Sequence, residues 1–248
     1  MRGTAGISLP LLALALLLAP CTMAAAQSPP DYAAIVNAPD RSDADKQNDK
    51  RRDPTALIAF TGCRPGMKEL DMAAGAGYST ELMARCVAPN GTVYAQNPPG
   101  LPQRAMDAFN ERMKKPAMHN VVADPQPADN PIPAGVGNLD LITFFFGYHD
   151  TANGGVDRTK MNKAMFDALK PGGTLVVADY AAVPGAPITT SQEFHRLDEA
   201  IEKREIEAAG FKFIGEGGFL RNPNDTHDFK IFGAKTPIDI YVLKFQKP

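Results

Sequence analysis

The sequence predicts an α/β fold: seven strands in a mostly parallel sheet, with an antiparallel strand near the C-terminus and helices on both faces. Three observations carry this. Beyond residue 66, strand-like and helix-like segments alternate regularly. Leu139–Phe146 is apolar at nearly every position, as a strand covered on both faces requires. And the stretch ELDMAAGAGYST, Glu69–Thr80, places small residues between the end of a strand and the start of a helix.

The elements follow in order. Lys68–Ala73 reads as a strand, Tyr78–Val87 as a helix, Thr92–Gln96 as a strand and Pro102–Lys114 as a helix. Met118–Val122 is a short strand, followed by a Pro-rich loop over Ala123–Asn138 and the apolar strand Leu139–Phe146. A helix over Val156–Leu169 ends at the turn KPGG, Lys170–Gly173, and Thr174–Ala178 is the next strand. One long helix is expected over Ser191–Ala209, then strands at Phe211–Gly215 and Ile238–Phe245. Alternation of this kind implies right-handed crossovers.

The N-terminal quarter differs in kind. Arg2, the apolar run Leu11–Ala19 and the alanines at 24 to 26 have the order of a secretory signal peptide, with cleavage expected before Gln27. A lipid anchor at Cys21 fits less well, because Pro20 stands where a small residue is usual. Residues 27–55 read as a polar helical extension with solvated faces, and residues 56–248 as the folded domain. No stretch approaches the ~18 apolar residues of a membrane span, so none is expected after cleavage. The 248 residues carry a net charge of −2, which excludes a generally basic, nucleic-acid-binding surface.

With the leader removed, Cys63 and Cys86 remain. Their spacing matches no zinc motif and leaves two buried thiols or one bridge open. The proposed fold brings both to one edge of the sheet. No phosphate loop of the GxxxxGK type, nucleophile elbow or Ser/His/Asp arrangement is present.

From about Ala56 onward the chain resembles the class I S-adenosylmethionine-dependent methyltransferases, and in particular a branch of signal-peptide-bearing bacterial proteins. The resemblance rests on Asp71, Ala73, Gly75 and Gly77 in the loop, on KPGG, and on HRLDEAIEKREIEAAGF, LRNPND and the terminal YVLKFQKP. It implies a Rossmann-like methyltransferase fold with S-adenosylmethionine as cofactor. It implies that Asp71 orients the loop and the methionine amino group, and that Gly75 and Gly77 open the backbone to the ligand. Asn97 stands where the family has a ribose-binding acid, and Asp124 where an acid contacts adenine. Ala73 replaces a usual glycine.

The fourth strand ends in FFFGYHD, so Tyr148, His149 and Asp150 are expected at a small-molecule acceptor, with His149 the best base by residue type. Asp150 and Asp179 are similar to the acids of metal-dependent catechol-type enzymes, but Tyr180 stands where those have asparagine, so no metal is expected. His195, Arg196, Asp198 and Glu199 read as a solvated helix face, and His119 and His227 as exposed or structural. The expected function is an exported methyltransferase acting on a small molecule. A non-catalytic ligand-binding protein on the same fold and an NAD(P)-binding oxidoreductase are the alternatives; against the latter, Thr80 breaks the GxGxxG spacing.

Overall fold

The structure is a computed structural model and describes residues 1, 3, 28–153 and 155–248, so the expected leader's apolar run and cleavage site fall outside the described residues. Among the described residues three helices precede the first strand: α1 (Tyr32–Val36), α2 (Asp43–Arg52) and α3 (Pro54–Thr61). Ser42 caps α2 by accepting from the Asp45 N–H, with acids in the first turn and Lys50, Arg51 and Arg52 in the last, matching the helix dipole. Asp53 ends α2 and caps α3, whose first residue is Pro54.

The solvated extension expected here is instead fastened down. Arg41 and Asp45 are 4% and 3% exposed. Arg41 donates twice to Asp49, at 2.7 and 2.8 Å, and to the Val36 carbonyl. Arg112, from a helix far along the chain, holds both oxygens of Asp45 at 2.8 Å and also reaches Glu81. Composition records these charges but not their partners.

The remaining elements are β1 (Lys68–Met72), α4 (Tyr78–Val87), β2 (Thr92–Ala95), α5 (Gln103–Met113), β3 (Val121–Ala123), β4 (Leu139–Phe145), α6 (Tyr148–Thr151), α7 (Arg158–Ala168), β5 (Leu169–Tyr180), α8 (Thr190–Phe194), α9 (Glu199–Ala208), β6 (Lys212–Glu216) and β7 (Ile240–Gln246). The sheet order is β3-β2-β1-β4-β5-β7-β6. β1 to β5 pair in parallel, and β7 runs antiparallel between β5 and β6. Alternate residues of β1 and β4 feed two cores. Leu70, Met72, Ile142 and Phe144 pack with Met161, Met165 and Ile206, while Leu141 and Phe145 pack with Leu57, Leu82 and Phe109.

Cys63 and Cys86 are bridged, with Cα atoms 6.3 Å apart across 23 positions. In the chain-entropy account such a closure contributes about 3 kcal/mol. The bridge ties the stretch after α3 to the last turn of α4, at the end of that helix remote from the loop it opens from.

The single helix expected over 191–209 is two. His195 adopts φ 54 and ends α8, and Asp198 caps α9 by accepting from the Ala200 N–H. The cause lies between them. Arg196 is wholly buried: its terminal nitrogens donate to Asp225 and the Ala181 carbonyl, and Nε to the Phe229 carbonyl. A continuous helix could not deliver that side chain into the interior. The expected solvated face of His195, Arg196, Asp198 and Glu199 is therefore corrected, since a polar residue signals exposure only while no buried acid awaits it.

Candidate functional site

β1 and β4 are neighbours whose connections depart in opposite directions, so their carboxyl ends form the crevice where open α/β sheets bind ligands. The loop after β1 is built by its own side chains and by those that end β2. Asp71 is fully buried. Ser79 and Thr80 donate to its Oδ2 at 2.9 and 2.6 Å, and Thr143 stands 2.9 Å from its Oδ1. Burial raises its pKa, the three hydroxyls opposing. Thr143 has one hydrogen yet lies 2.9 Å from Glu69 Oε1 as well. Burial, with Asp71 adding to it, raises Glu69 well above the usual carboxylate range. As a neutral acid Glu69 donates to Thr143, and Thr143 donates to Asp71. Asp71 thus orients the loop from below, its oxygens occupied by hydroxyls.

Gln96 and Asn97 hold the loop from the side. Gln96 Oε1 accepts from the Ala73 N–H at 2.9 Å, and its Nε2 donates to the Gln126 carbonyl. Asn97 takes both ends of Gly75: Oδ1 accepts from its N–H at 2.7 Å and Nδ2 donates to its carbonyl at 3.1 Å. One Oδ1 lone pair and one Nδ2 hydrogen remain, enough for one accepted and one donated bond to a diol. Asp124, half-buried after β3, accepts from Gln126 Nε2 at 3.0 Å.

Two loop glycines differ in purpose. Gly75 has φ 58, and a Cβ there would have only the Ala73 carbonyl within reach, at 3.9 Å, so its outer side is open for a ligand. Gly77 has φ 80, and a Cβ there would lie 2.9 Å from Arg112 and 3.1 Å from Phe109; it serves the close approach of α5. Ala73 tolerates φ 50 at the family's glycine position. α4 starts at Gly77 without a side-chain cap, leaving backbone N–H groups for an anionic ligand group. A loop pinned from below and from the side, open above Gly75 and uncapped at α4, fits the methionine and ribose parts of S-adenosylmethionine.

Next to the loop lies a cavity of about 480 Å³ whose lining includes Arg52, Phe146, Tyr180, Phe219, Arg221 and Lys235. Phe146, just past β4, has φ 60, an uncommon conformation for a bulky residue. It sets the ring 5.3 Å from Tyr180, with the Arg52 guanidinium 4.4 Å above it. Gly147 follows, and a Cβ there would lie 3.1 Å from the Ala73 Cβ, so the residue next to the cavity's Phe146 approaches the loop. Among the described residues Lys50, Arg51, Arg52 and Lys235 form no ion pair.

The residues expected at the acceptor do not line this cavity. Tyr148 turns to the opposite core, where it donates to Glu205 at 2.9 Å and accepts from Asn162 at 2.8 Å. His149 is 1% exposed, its Nδ1 2.7 Å from Asp179 Oδ1 and its Nε2 3.2 Å from Asp150 Oδ1. Burial disfavours the charged ring, but the charges and hydrogen bonds of Asp179 and Asp150 prevail and push its pKa up to about 10. At neutral pH it is a doubly donating imidazolium and not a free base. Sequence reasoning did not place Phe146, Tyr180 or Arg52 at a ligand cavity. An aromatic run at a strand end was visible, but not the helix that crosses it.

A family model described as the ubiE/COQ5 methyltransferase family matches residues 46–196. The chain is 26% identical over 162 residues to the ubiquinone/menaquinone biosynthesis C-methyltransferase UbiE of Cronobacter sakazakii, covering 64% of this chain and 62% of that protein. It is 24% identical to its counterpart in Photorhabdus laumondii, over 68% of this chain and 66% of the relative. The chain thus spans somewhat under two thirds of the curated relatives' length. A SAM-dependent methyltransferase from Aquifex aeolicus superposes with TM-score 0.60 at 18% identity, over 88% of this chain and 99% of that one. An Aeropyrum pernix fibrillarin with natively bound S-adenosyl-L-methionine gives 0.52 at 13%, over 77% and 73%. These likenesses establish the class I methyltransferase fold, and the antiparallel β7 inside the sheet accords with it.

Proposed function

Because the chain belongs to the ubiE/COQ5 methyltransferase family, we propose that it uses S-adenosylmethionine to methylate a small acceptor carrying a planar ring and a negative charge, outside the cytoplasm. The observation behind this reading is the cavity at Phe146, whose neighbour Gly147 approaches Ala73 of the loop, with aromatic walls and with Lys50, Arg51, Arg52 and Lys235 free of ion pairs among the described residues.

When bound, S-adenosylmethionine supplies a methyl group on a sulfonium sulfur for in-line transfer. Gln96 and Asn97 keep the loop in its binding shape, and the uncapped start of α4 offers N–H donors to a carboxylate. Phe146 and Tyr180 hold the acceptor's plane. Arg52, with Lys50, Arg51 and Lys235 nearby, favours the ionised acceptor, lowering the pKa of a ring hydroxyl in the site. The hydroxyl proton then leaves to solvent without a protein base, which suits the enclosure of His149 between two carboxylates. An ionised ring hydroxyl makes both its oxygen and the adjacent ring carbons nucleophilic; transfer to carbon would release S-adenosylhomocysteine and then the ring carbon's proton to water as aromaticity returns, and the C-methyltransferase names of the relatives favour carbon.

The leader-like N-terminus and the Cys63–Cys86 bridge support export, since such bridges persist in oxidising compartments. A second reading, a non-catalytic binder on this fold, is favoured by the absence of a free imidazole at the cavity. Calorimetry of the disulfide-intact protein with S-adenosylmethionine, then mass spectrometry of phenolates and aromatic carboxylates incubated with both, separates the two. Binding with methyl gain on an acceptor supports the enzyme, and binding without any transfer leaves the binder. No heat at millimolar cofactor overturns the cofactor assignment.

A further inference from the structure

His149, Asp150 and His195 bring their ligand atoms together at the edge of the cavity region. The imidazoles are 5.6 Å apart between centroids and nearly perpendicular, at 84°. Asp150 Oδ1 lies 3.2 Å from His149 Nε2 and 3.2 Å from His195 Nδ1, and the candidate ligand atoms of the three residues all lie within 4.8 Å of one another. Two ligands on one divalent transition-metal ion, at ~2.0–2.2 Å each, stand roughly 3 Å apart. The two 3.2 Å contacts have that spacing.

The surroundings single out this cluster from an ordinary surface pair. Asp179 is fully buried and accepts at Oδ1 from His149 Nδ1, while its Oδ2 accepts from the His149 backbone N–H. A carboxylate behind the ring fixes its orientation and directs Nε2 outward, the arrangement found behind metal-bound histidines. Tyr180 packs edge-on against His149 at 5.7 Å, and Phe232 packs on His195 at 4.7 Å, so both rings are held from the side. His195 has the left-handed φ 54 that turns its side chain away from α8 toward Asp150. The Asp150 side chain is more than half exposed, leaving an approach for the ion and for further ligands.

We propose that His149 Nε2, Asp150 and His195 Nδ1 bind one divalent transition-metal ion of the zinc class, with Asp179 as the positioning residue behind His149. Two imidazoles and one carboxylate are a donor set suited to such ions and unsuited to calcium or magnesium, which prefer oxygen. The ion takes the place of the hydrogen between Nε2 and Asp150. This reverses the sequence expectation of no metal, and it stands independently of the methyltransferase reading. Because Tyr180 separates the cluster from the cavity, the ion sits beside the acceptor space.

The test uses untagged, chelator-stripped protein titrated with Zn²⁺ by calorimetry and with Co²⁺ by visible absorption. One ion per chain is expected. His195→Ala, at a partly exposed position, and Asp150→Asn should each weaken binding at least ~10-fold, and Asp179→Asn by ~10–100-fold. His119→Ala, at an exposed histidine far along the chain, should change nothing. Absence of binding by the wild type, or an unchanged isotherm in His195→Ala, overturns the proposal.

Discussion

At the loop after β1, Gln96, Asn97 and Arg112 each place a polar atom on the loop backbone: on the Ala73 N–H, on both ends of Gly75, and on the Ala76 carbonyl. At the cavity one strand away, Arg52 lies over the faces of Tyr78 and Phe146, and among the described residues it and its neighbours Lys50 and Arg51 form no ion pair. The first region is shaped before any ligand arrives; the second keeps charge in reserve for one. A site that always takes the same cofactor gains from preorganisation, because the ordering cost falls outside the binding event. A site defined by its acceptor must leave its strongest donors unpaired.

The largest expected effect tests the fastening of the N-terminal helices to the loop. Arg112→Ala leaves Asp45 without its bidentate partner and removes one of Glu81's three cations. Both acids are held below the usual carboxylate range despite burial, Arg112 contributing in each case. Urea unfolding should register a loss of about 3 kcal/mol. An unchanged midpoint would mean that α2 docks without these pairs.

Gly75→Val should sharpen the contrast next. A β-branched residue at φ 58 is strained, and its side chain fills the open side of the loop. Affinity for S-adenosylmethionine should fall at least ~100-fold, about 2.7 kcal/mol, with the cavity residues untouched. Asn97→Asp comes third and has the opposite sign to what charge alone suggests. A carboxylate at a ribose-binding position makes stronger bonds to hydroxyls. Here it would lose the bond from Nδ2 to the Gly75 carbonyl and set two oxygens against each other. Calorimetry should find cofactor binding weakened ~10-fold, and tighter binding would show that the clamp does not govern the loop.

On the acceptor side, Arg52→Ala should raise the acceptor KM by roughly 10-fold, in the range of a desolvated cation–π contact, and leave cofactor affinity within about twofold. Equal losses of both would erase the distinction between the regions. The smallest effect is that of Glu69→Gln. Glu69's folded pKa lies above its unfolded value, so its contribution is fully present below about pH 4.5 and lost as pH rises through the folded pKa. The amide variant should be the more stable at pH 7, and the difference should vanish toward pH 4 in paired urea melts.

The sequence by itself determined whatever depends on near neighbours along the chain. The strand-loop-helix unit at 68–87 was legible because alternating and 3.6-residue periodicities are local, and the glycines mark the loop between them. The parallel order with two closing strands followed from the succession of elements and from the resemblance carried by the loop and KPGG. Tertiary structure alone decided the fate of isolated polar residues. Arg196 looked like part of a helix face until Asp225, 29 positions on, drew it inside and split the helix. His149 looked like a free base until Asp179 closed over it. Asp150 and His195, 45 positions apart, meet only because α6 and α8 pack together. An ionisable side chain takes its energy mainly from burial and from the charges it faces, and those are fixed by contacts between distant segments. Periodicity records which way a residue points along its own element, and carries no information about what waits on the other side.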